Sequence, residues 1–283
     1  MYKHLITSGC SFTDNLDDYA GGPARWPHFL AQHGGMNLYN RGQGSAGNDW
    51  ISSSIIYQIS TLLTEGVDPS EMLVIPMWSG IDRNSIFISE TGTPRYWDLH
   101  VTDMMSNPAS YTDNPPNMYY NPPGESRSGW LLGSASCSFP NDNIQQYKQL
   151  LVTRYLNEEA LMIRSLNNWL KVQWFCASKG VALYNLTYMN IWHYPGYGYT
   201  SGKLEEWELN RVPFFWETFP HNTKHLYNEL DLSKWLFYGN NGGMFEWCKR
   251  EGLGFYSDNV HPSIDSHKKF AEEWLWPRIQ SVV

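Results

Sequence analysis

Four short stretches carry the side chains that could do chemistry, and each follows an apolar run. Near the N-terminus stands Gly9-Cys10-Ser11-Phe12-Thr13. Then come Asn40-Arg41-Gly42-Gln43-Gly44-Ser45-Ala46-Gly47-Asn48-Asp49 and, further on, Trp78-Ser79-Gly80-Ile81-Asp82-Arg83. Close to the C-terminus stands Asp258-Asn259-Val260-His261-Pro262. The first three combine glycine with small hydroxyl residues. The last sets an acid and a histidine three positions apart. A serine hydroxyl is a poor nucleophile at neutral pH without an adjacent base, and histidine titrates close to neutrality. These residue types are the parts of nucleophilic catalysis, provided a fold brings them together.

The elements that would position them can be read from apolar spacing. Short apolar runs at His4–Thr7, Met36–Tyr39, Met72–Met77 and Val181–Leu186, with a weaker one at Leu253–Tyr256, lack polar alternation. Strands buried on both faces of a parallel sheet read this way. Helical spacing joins Trp26, Phe29, Leu30 and His33. It recurs over 49–63 through Ile51, Ile55 and Ile59, and over 143–178 through Ile144, Tyr147, Leu151, Tyr155, Met162, Leu166, Trp169 and Phe175. The last such pattern spans 262–279. Lys179-Gly180 supplies a helix stop. Strand alternating with helix predicts an α/β layer fold with a parallel sheet of about five strands. In such a sheet ligands bind beyond the carboxyl ends of the strands, where the four stretches fall.

With that placement, Gly9-Cys10-Ser11 behind the first strand resembles the Gly-Asp-Ser block of the SGNH (GDSL-type) hydrolases. Asp258-x-x-His261 resembles the Asp-x-x-His block of the same superfamily, and the order along the chain agrees. The resemblance implies a three-layer α/β/α, flavodoxin-like sandwich. It implies Ser11 as nucleophile, His261 as its base and Asp258 as the group orienting the imidazole. Oxyanion donors would be the backbone N–H groups of Ser11 and Gly44. The family's third donor is an Asn in a Gly-x-Asn-Asp block, and here Asp82 stands in its place. An ionised carboxylate donates no hydrogen bond. Asn48 or Arg83 then supplies the missing donor, or the site is weak or dead. Cys10 replaces an Asp that is not a triad member. The reaction implied is hydrolysis of an ester or O-acetyl group through an acyl-serine, with no cofactor and no metal. The alternative is a binding or structural module of this fold, such as a virion component.

Competing readings of the same residues are weaker. Gly42-x-Gly44-x-x-Gly47 matches a dinucleotide fingerprint, but no acid closes the next strand to hold a ribose. His221 and His225 lie four apart with only Glu229 nearby, which is thin for a metal. Asp14, Asp17 and Asp18 form an acidic loop, either solvated or shaping the entrance to the site. Cys10, Cys137, Cys176 and Cys248 have no metal spacing and read as free thiols.

The chain has 283 residues and a formal net charge of −8. That balance argues against a nucleic-acid binder, which needs clustered cations. No apolar run is long enough to span a bilayer, and the first residues show no signal peptide, so a cytoplasmic location is the default expectation. Residues 84–141 and 190–243 break the alternation and are expected to be long insertions in a single domain. The second carries Trp192, Tyr194, Tyr197, Tyr199, Trp207, Phe214, Phe215 and Trp216. Such rings stack on sugar faces, which suggests a carbohydrate ester as substrate.

Overall fold

The structure is a computed structural model, and it describes residues 2–14, 25–44, 46–81, 83–88, 129–133, 158–191, 220–239 and 241–281. Strand β1 (His4–Ser8) is the centre of the sheet. It pairs in parallel with β2 (Asn37–Asn40) on one side and with β3 (Met72–Trp78) on the other. All of β3 is buried, which accounts for its unbroken apolar run. β2 is the edge strand and is only partly covered. Helix α1 (Trp26–Gly34) joins β1 to β2, and α2 (Asn48–Thr64) joins β2 to β3. The chain steps one way from β1 to β2 and the other way from β2 to β3. Right-handed crossovers then place α1 and α2 on opposite faces, giving the three-layer α/β/α sandwich. The reversal also creates a switch point between the carboxyl ends of β1 and β3.

The helices end where their sequences dictate. Gly35 adopts a left-handed conformation (φ 64°) that closes α1, and the N–H of Met36 returns to the carbonyl of Ala31 at 2.9 Å. Ile51, Ile55, Ile59 and Leu62 form the buried stripe of α2. Helix α3 (Glu158–Lys179) packs against α2, where Ser165 and Asn168 bond to Asn48 and Ser52, and it buries Met162, Leu166, Trp169 and Leu170. The expected helix over 143–157 lies outside the described residues.

Two expected strands differ from the structure. The run Val181–Leu186 splits into β6 (Ala182–Leu183) and β7 (Leu186–Thr187), each pairing in parallel with β3. The break falls at Asn185, whose backbone N–H and C=O bond instead to Lys234 and Leu236. The sheet therefore has five strands, with β6 and β7 following one another along β3. Leu253–Tyr256 is not a sheet strand. Phe255 makes only an antiparallel bridge to Pro262, so the segment folds back on its own downstream residues.

Of the expected insertion over 84–141, the described part is an antiparallel pair of strands, β4 (Asn84–Ile88) and β5 (Gly129–Gly133). In the second, helix α4 (Pro220–Asn228) contacts α3. Helix α5 (Met244–Arg250) begins at Gly243. The final helix starts as α6 (Ile264–Lys269), widens into a π-helical stretch over Phe270–Leu275, and ends as α7 (Trp276–Gln280). Pro277 explains the widening. It has no N–H to give, and its ring would collide with the carbonyl four residues back in a regular helix.

Candidate active site

The chain leaving β1 makes one helical turn. The N–H groups of Thr13 (2.8 Å) and Asp14 (3.0 Å) both donate to the carbonyl of Cys10. Ser11 sits at the open side of this turn, half-buried, above the switch point. Phe12 is buried below it, edge-on to Tyr188. The turn is pressed against neighbouring backbone. A Cβ on Gly9 would lie 2.3 Å from Thr13 Oγ1 and 3.0 Å from the carbonyl of Met77, so only glycine fits there.

The loop after β2 runs alongside. Asn40 ties the two together: its Nδ2 donates to the carbonyl of Thr13 (2.6 Å), and its Oδ1 accepts from the Gly42 N–H (2.9 Å). The N–H of Gln43 donates to the carbonyl of Gly9 at 2.9 Å. A Cβ on Gly42 would meet the backbone of Thr13 and Asp14 within 2.9 Å, which explains glycine at the crossing.

Asp258 and His261 share a tight turn that the failed fifth strand creates. Asp258 Oδ1 accepts from the N–H groups of Val260 and His261, each at 2.9 Å. Asn259 takes the left-handed conformation (φ 56°) that Asn tolerates better than most residues. The N–H of Tyr256 closes the turn on the carbonyl of His261. The other carboxylate oxygen, Oδ2, bonds to His261 Nδ1. A carboxylate only accepts, so Nδ1 carries a proton toward Asp258, which in the neutral tautomer leaves Nε2 to accept. Ser11 Oγ lies 2.7 Å from that Nε2. Side chains 250 positions apart thus form one hydrogen-bonded line from hydroxyl to imidazole to carboxylate.

The charge state of the line follows from its surroundings. Partial burial pushes the Asp258 carboxyl up. The His261 ring and the backbone N–H groups of Val260 and His261 outweigh that and hold it below its ordinary value. Behind the line, His267 is buried and its Nδ1 accepts from the Trp26 N–H at 3.3 Å. Burial first, then Arg25 and His261, push the His267 imidazole well below its ordinary value, so it stays neutral. Buried Arg25 donates from Nη1 to the Tyr256 hydroxyl at 3.2 Å.

The expected oxyanion donors are placed unevenly. Ser11 stands on the turn itself. The Gly44 N–H points at the Asp14 carboxylate, with Oδ2 at 2.5 Å. Asn48 is buried inside the fold. Its Oδ1 accepts from the Ser79 N–H (3.0 Å), and its Nδ2 donates to Ser165 Oγ (3.0 Å) and the Ser79 carbonyl (3.3 Å). Its amide is committed to holding the loop after β3 and does not reach Ser11, because a buried amide with those partners has no donor to spare. Arg83 lies with its guanidinium 5.3 Å from the centre of the Tyr188 ring, one aromatic ring away from Phe12. Phe12 in turn touches the His261 ring at 5.2 Å between centroids. Asp82, Asp17, Asp18 and Cys137 lie outside the described residues. Sequence reasoning grouped Asp14 with an acidic loop; its spacing three after Ser11 was the available signal for its place beside the site.

The competing sites fare as follows. Gly47, the last glycine of the dinucleotide-like run, gives its N–H to Ser85 Oγ (2.8 Å) at the start of α2. His221 and His225 lie on α4. Among the described residues, no three or more His, Cys, Asp or Glu side chains are grouped to hold a metal ion. No described helix is long and apolar enough to cross a membrane. Cys10, Cys176 and Cys248 are buried free thiols, and burial pushes the Cys176 thiol up to about 12.

No family model matches the sequence, and no curated protein matches it. Among solved structures, the fold is similar to the crystal structure of protein YxiM from Bacillus subtilis, with a TM-score of 0.46 and 11% sequence identity. The match covers the whole of this chain, which spans 58% of the length of that protein.

Proposed function

We propose that this chain is an SGNH-type serine hydrolase that cleaves an ester or O-acetyl group. The observation that carries the reading is the 2.7 Å contact between Ser11 Oγ and His261 Nε2, with Nδ1 of the same ring held by Asp258. Ser11 Oγ attacks the carbonyl carbon while its proton passes to His261 Nε2. Asp258 fixes the tautomer that makes Nε2 the acceptor and stabilises the imidazolium that forms. His261 then protonates the departing alkoxide. Water, activated by the same nitrogen, frees the acyl group from Ser11. The Ser11 N–H on the turn itself serves as an oxyanion donor, and Arg83, stacked over the Tyr188 ring that packs on Phe12, is the cation that assists it. The aromatic residues of 190–243 support a sugar as the alcohol part of the ester.

The test is covalent labelling with a fluorophosphonate. The folded protein is expected to label, and Ser11→Ala to lose the label. A folded wild-type protein that stays unlabelled, along with every Asp14 variant described below, removes the hydrolase reading. One observation favours a second reading, a binding module with little turnover. The Gly44 N–H and the Asn48 amide, two of the expected oxyanion donors, already have partners inside the protein.

A further inference from the structure

The geometry points to Asp14 as a built-in competitor for the oxyanion site, a carboxylate that must release the Gly44 N–H before acyl transfer. This rests on the hydrolase reading above and adds a control element to it. Ser11 and Asp14 are three apart on the single turn closed by the Cys10 carbonyl, a spacing that puts both side chains on one side of a helical turn. The Asp14 carboxylate is only 5% exposed, and its Oδ2 accepts the Gly44 N–H. The loop holding Gly44 is locked beside that turn by the Asn40, Gly42 and Gln43 contacts. The Asp14 side chain thus occupies a backbone donor on the loop that is tied to the nucleophile's turn.

During attack a bond forms between Ser11 Oγ and the carbonyl carbon. The hydroxyl proton goes to His261 Nε2, and the carbonyl π pair moves onto oxygen. That oxygen and the Asp14 carboxylate then compete for one N–H, and like charges held close repel. The resting state shown here is self-inhibited at that donor. Substrate gains that donor only by displacing Asp14.

The discriminating experiment is the rate of fluorophosphonate labelling in wild type, Asp14→Asn and Asp14→Ala, each also carried in a Ser11→Ala background. In the labelling step Ser11 Oγ bonds to phosphorus, fluoride leaves, and the hydroxyl proton passes to His261; the phosphoryl oxygen needs the same donors. Asn keeps an oxygen for the Gly44 N–H without the charge, whereas Ala removes both. The expected result is a labelling rate about tenfold or more faster in Asp14→Ala, a smaller gain in Asp14→Asn, and no label in any Ser11→Ala background. If Asp14→Ala does not fold, the Asn variant decides alone. Wild-type labelling with equal or slower rates in the folded variants overturns the gate while leaving the hydrolase in place. No labelling of any form, wild type included, overturns the hydrolase reading and the gate together.

Discussion

At the scale of single residues, the site depends on two oxygens of one carboxylate doing different jobs. Asp258 Oδ1 shapes the turn and Oδ2 holds the imidazole. Asp258→Asn keeps one oxygen but presents an N–H donor to the ring or to the turn. Either way it disturbs the tautomer, and we expect labelling of Ser11 to slow by about 10²- to 10⁴-fold. The Asp258 carboxyl is held below its ordinary value, so its contribution to stability is complete above the usual carboxylate range. That contribution disappears as pH falls through the lowered value. Gly9 is the second residue-scale constraint. Gly9→Ala puts a methyl against Thr13 and the Met77 carbonyl. The turn carrying Ser11 must then move, and a loss of about 1–3 kcal/mol in denaturant unfolding, with a marked fall in labelling, is the expected outcome.

At the scale of elements, buried polar side chains fix how the strand ends meet. The first residue of α2, Asn48, grips both the N–H and the carbonyl of Ser79 just past β3. Its replacement by Ala strands those two buried groups and frees the loop leading to Arg83. We expect about 2–4 kcal/mol of destabilisation, measured by urea unfolding, where an oxyanion donor at the surface would have cost activity alone. Helix α5 is tied down by Glu246 in a similar way. Both oxygens of this buried side chain accept backbone N–H groups, from Asn190 (2.9 Å) and Gly243 (2.8 Å). Burial pushes its carboxyl up to about 6 against the pull of those donors. The aromatic elements pack by shape: Trp169 sits edge-on to Trp235 at 5.3 Å and tilted against Trp78 at 6.3 Å. Trp169→Ala is expected to cost about 3–5 kcal/mol, read from the denaturation midpoint.

At the scale of the whole molecule, two buried groups give the pH dependence of stability opposite signs. The His267 imidazole is held well below its ordinary value, so below about pH 6.5 the unfolded chain takes up a proton that the folded one refuses, and stability falls with falling pH. Glu246 acts the other way. Its carboxyl is protonated in the folded state up to about pH 6 but in the unfolded chain only to about 4.5. Stability from this group therefore falls as pH rises across that window, by about 2 kcal/mol. Glu246→Gln abolishes that term. Unfolding curves between pH 4.5 and 7 are expected to show the variant losing more stability than wild type toward acid. Parallel pH profiles for the two proteins would show that Glu246 does not titrate there.

The order β1, α1, β2, α2, β3 and the positions in the chain of Ser11, Asp258 and His261 were legible because each depends on local pattern. An apolar run with no alternation makes β1 or β3. A stripe of isoleucines makes α2, and Asp258-x-x-His261 needs only one turn to bring its two side chains together. The fifth strand was misread because Leu253–Tyr256 is apolar yet bonds to the residues just after it. The Val181–Leu186 run was cut because Asn185 found backbone partners at 234–236, far along the chain. What the sequence settled by itself was which residues stand at the ends of β1, β2 and β3. Which hydrogen-bonding groups there are already taken depends on how distant segments pack. Asn48 turns inward to Ser79, and the Gly44 N–H meets Asp14, because a buried polar group must find a partner and three-dimensional proximity selects it.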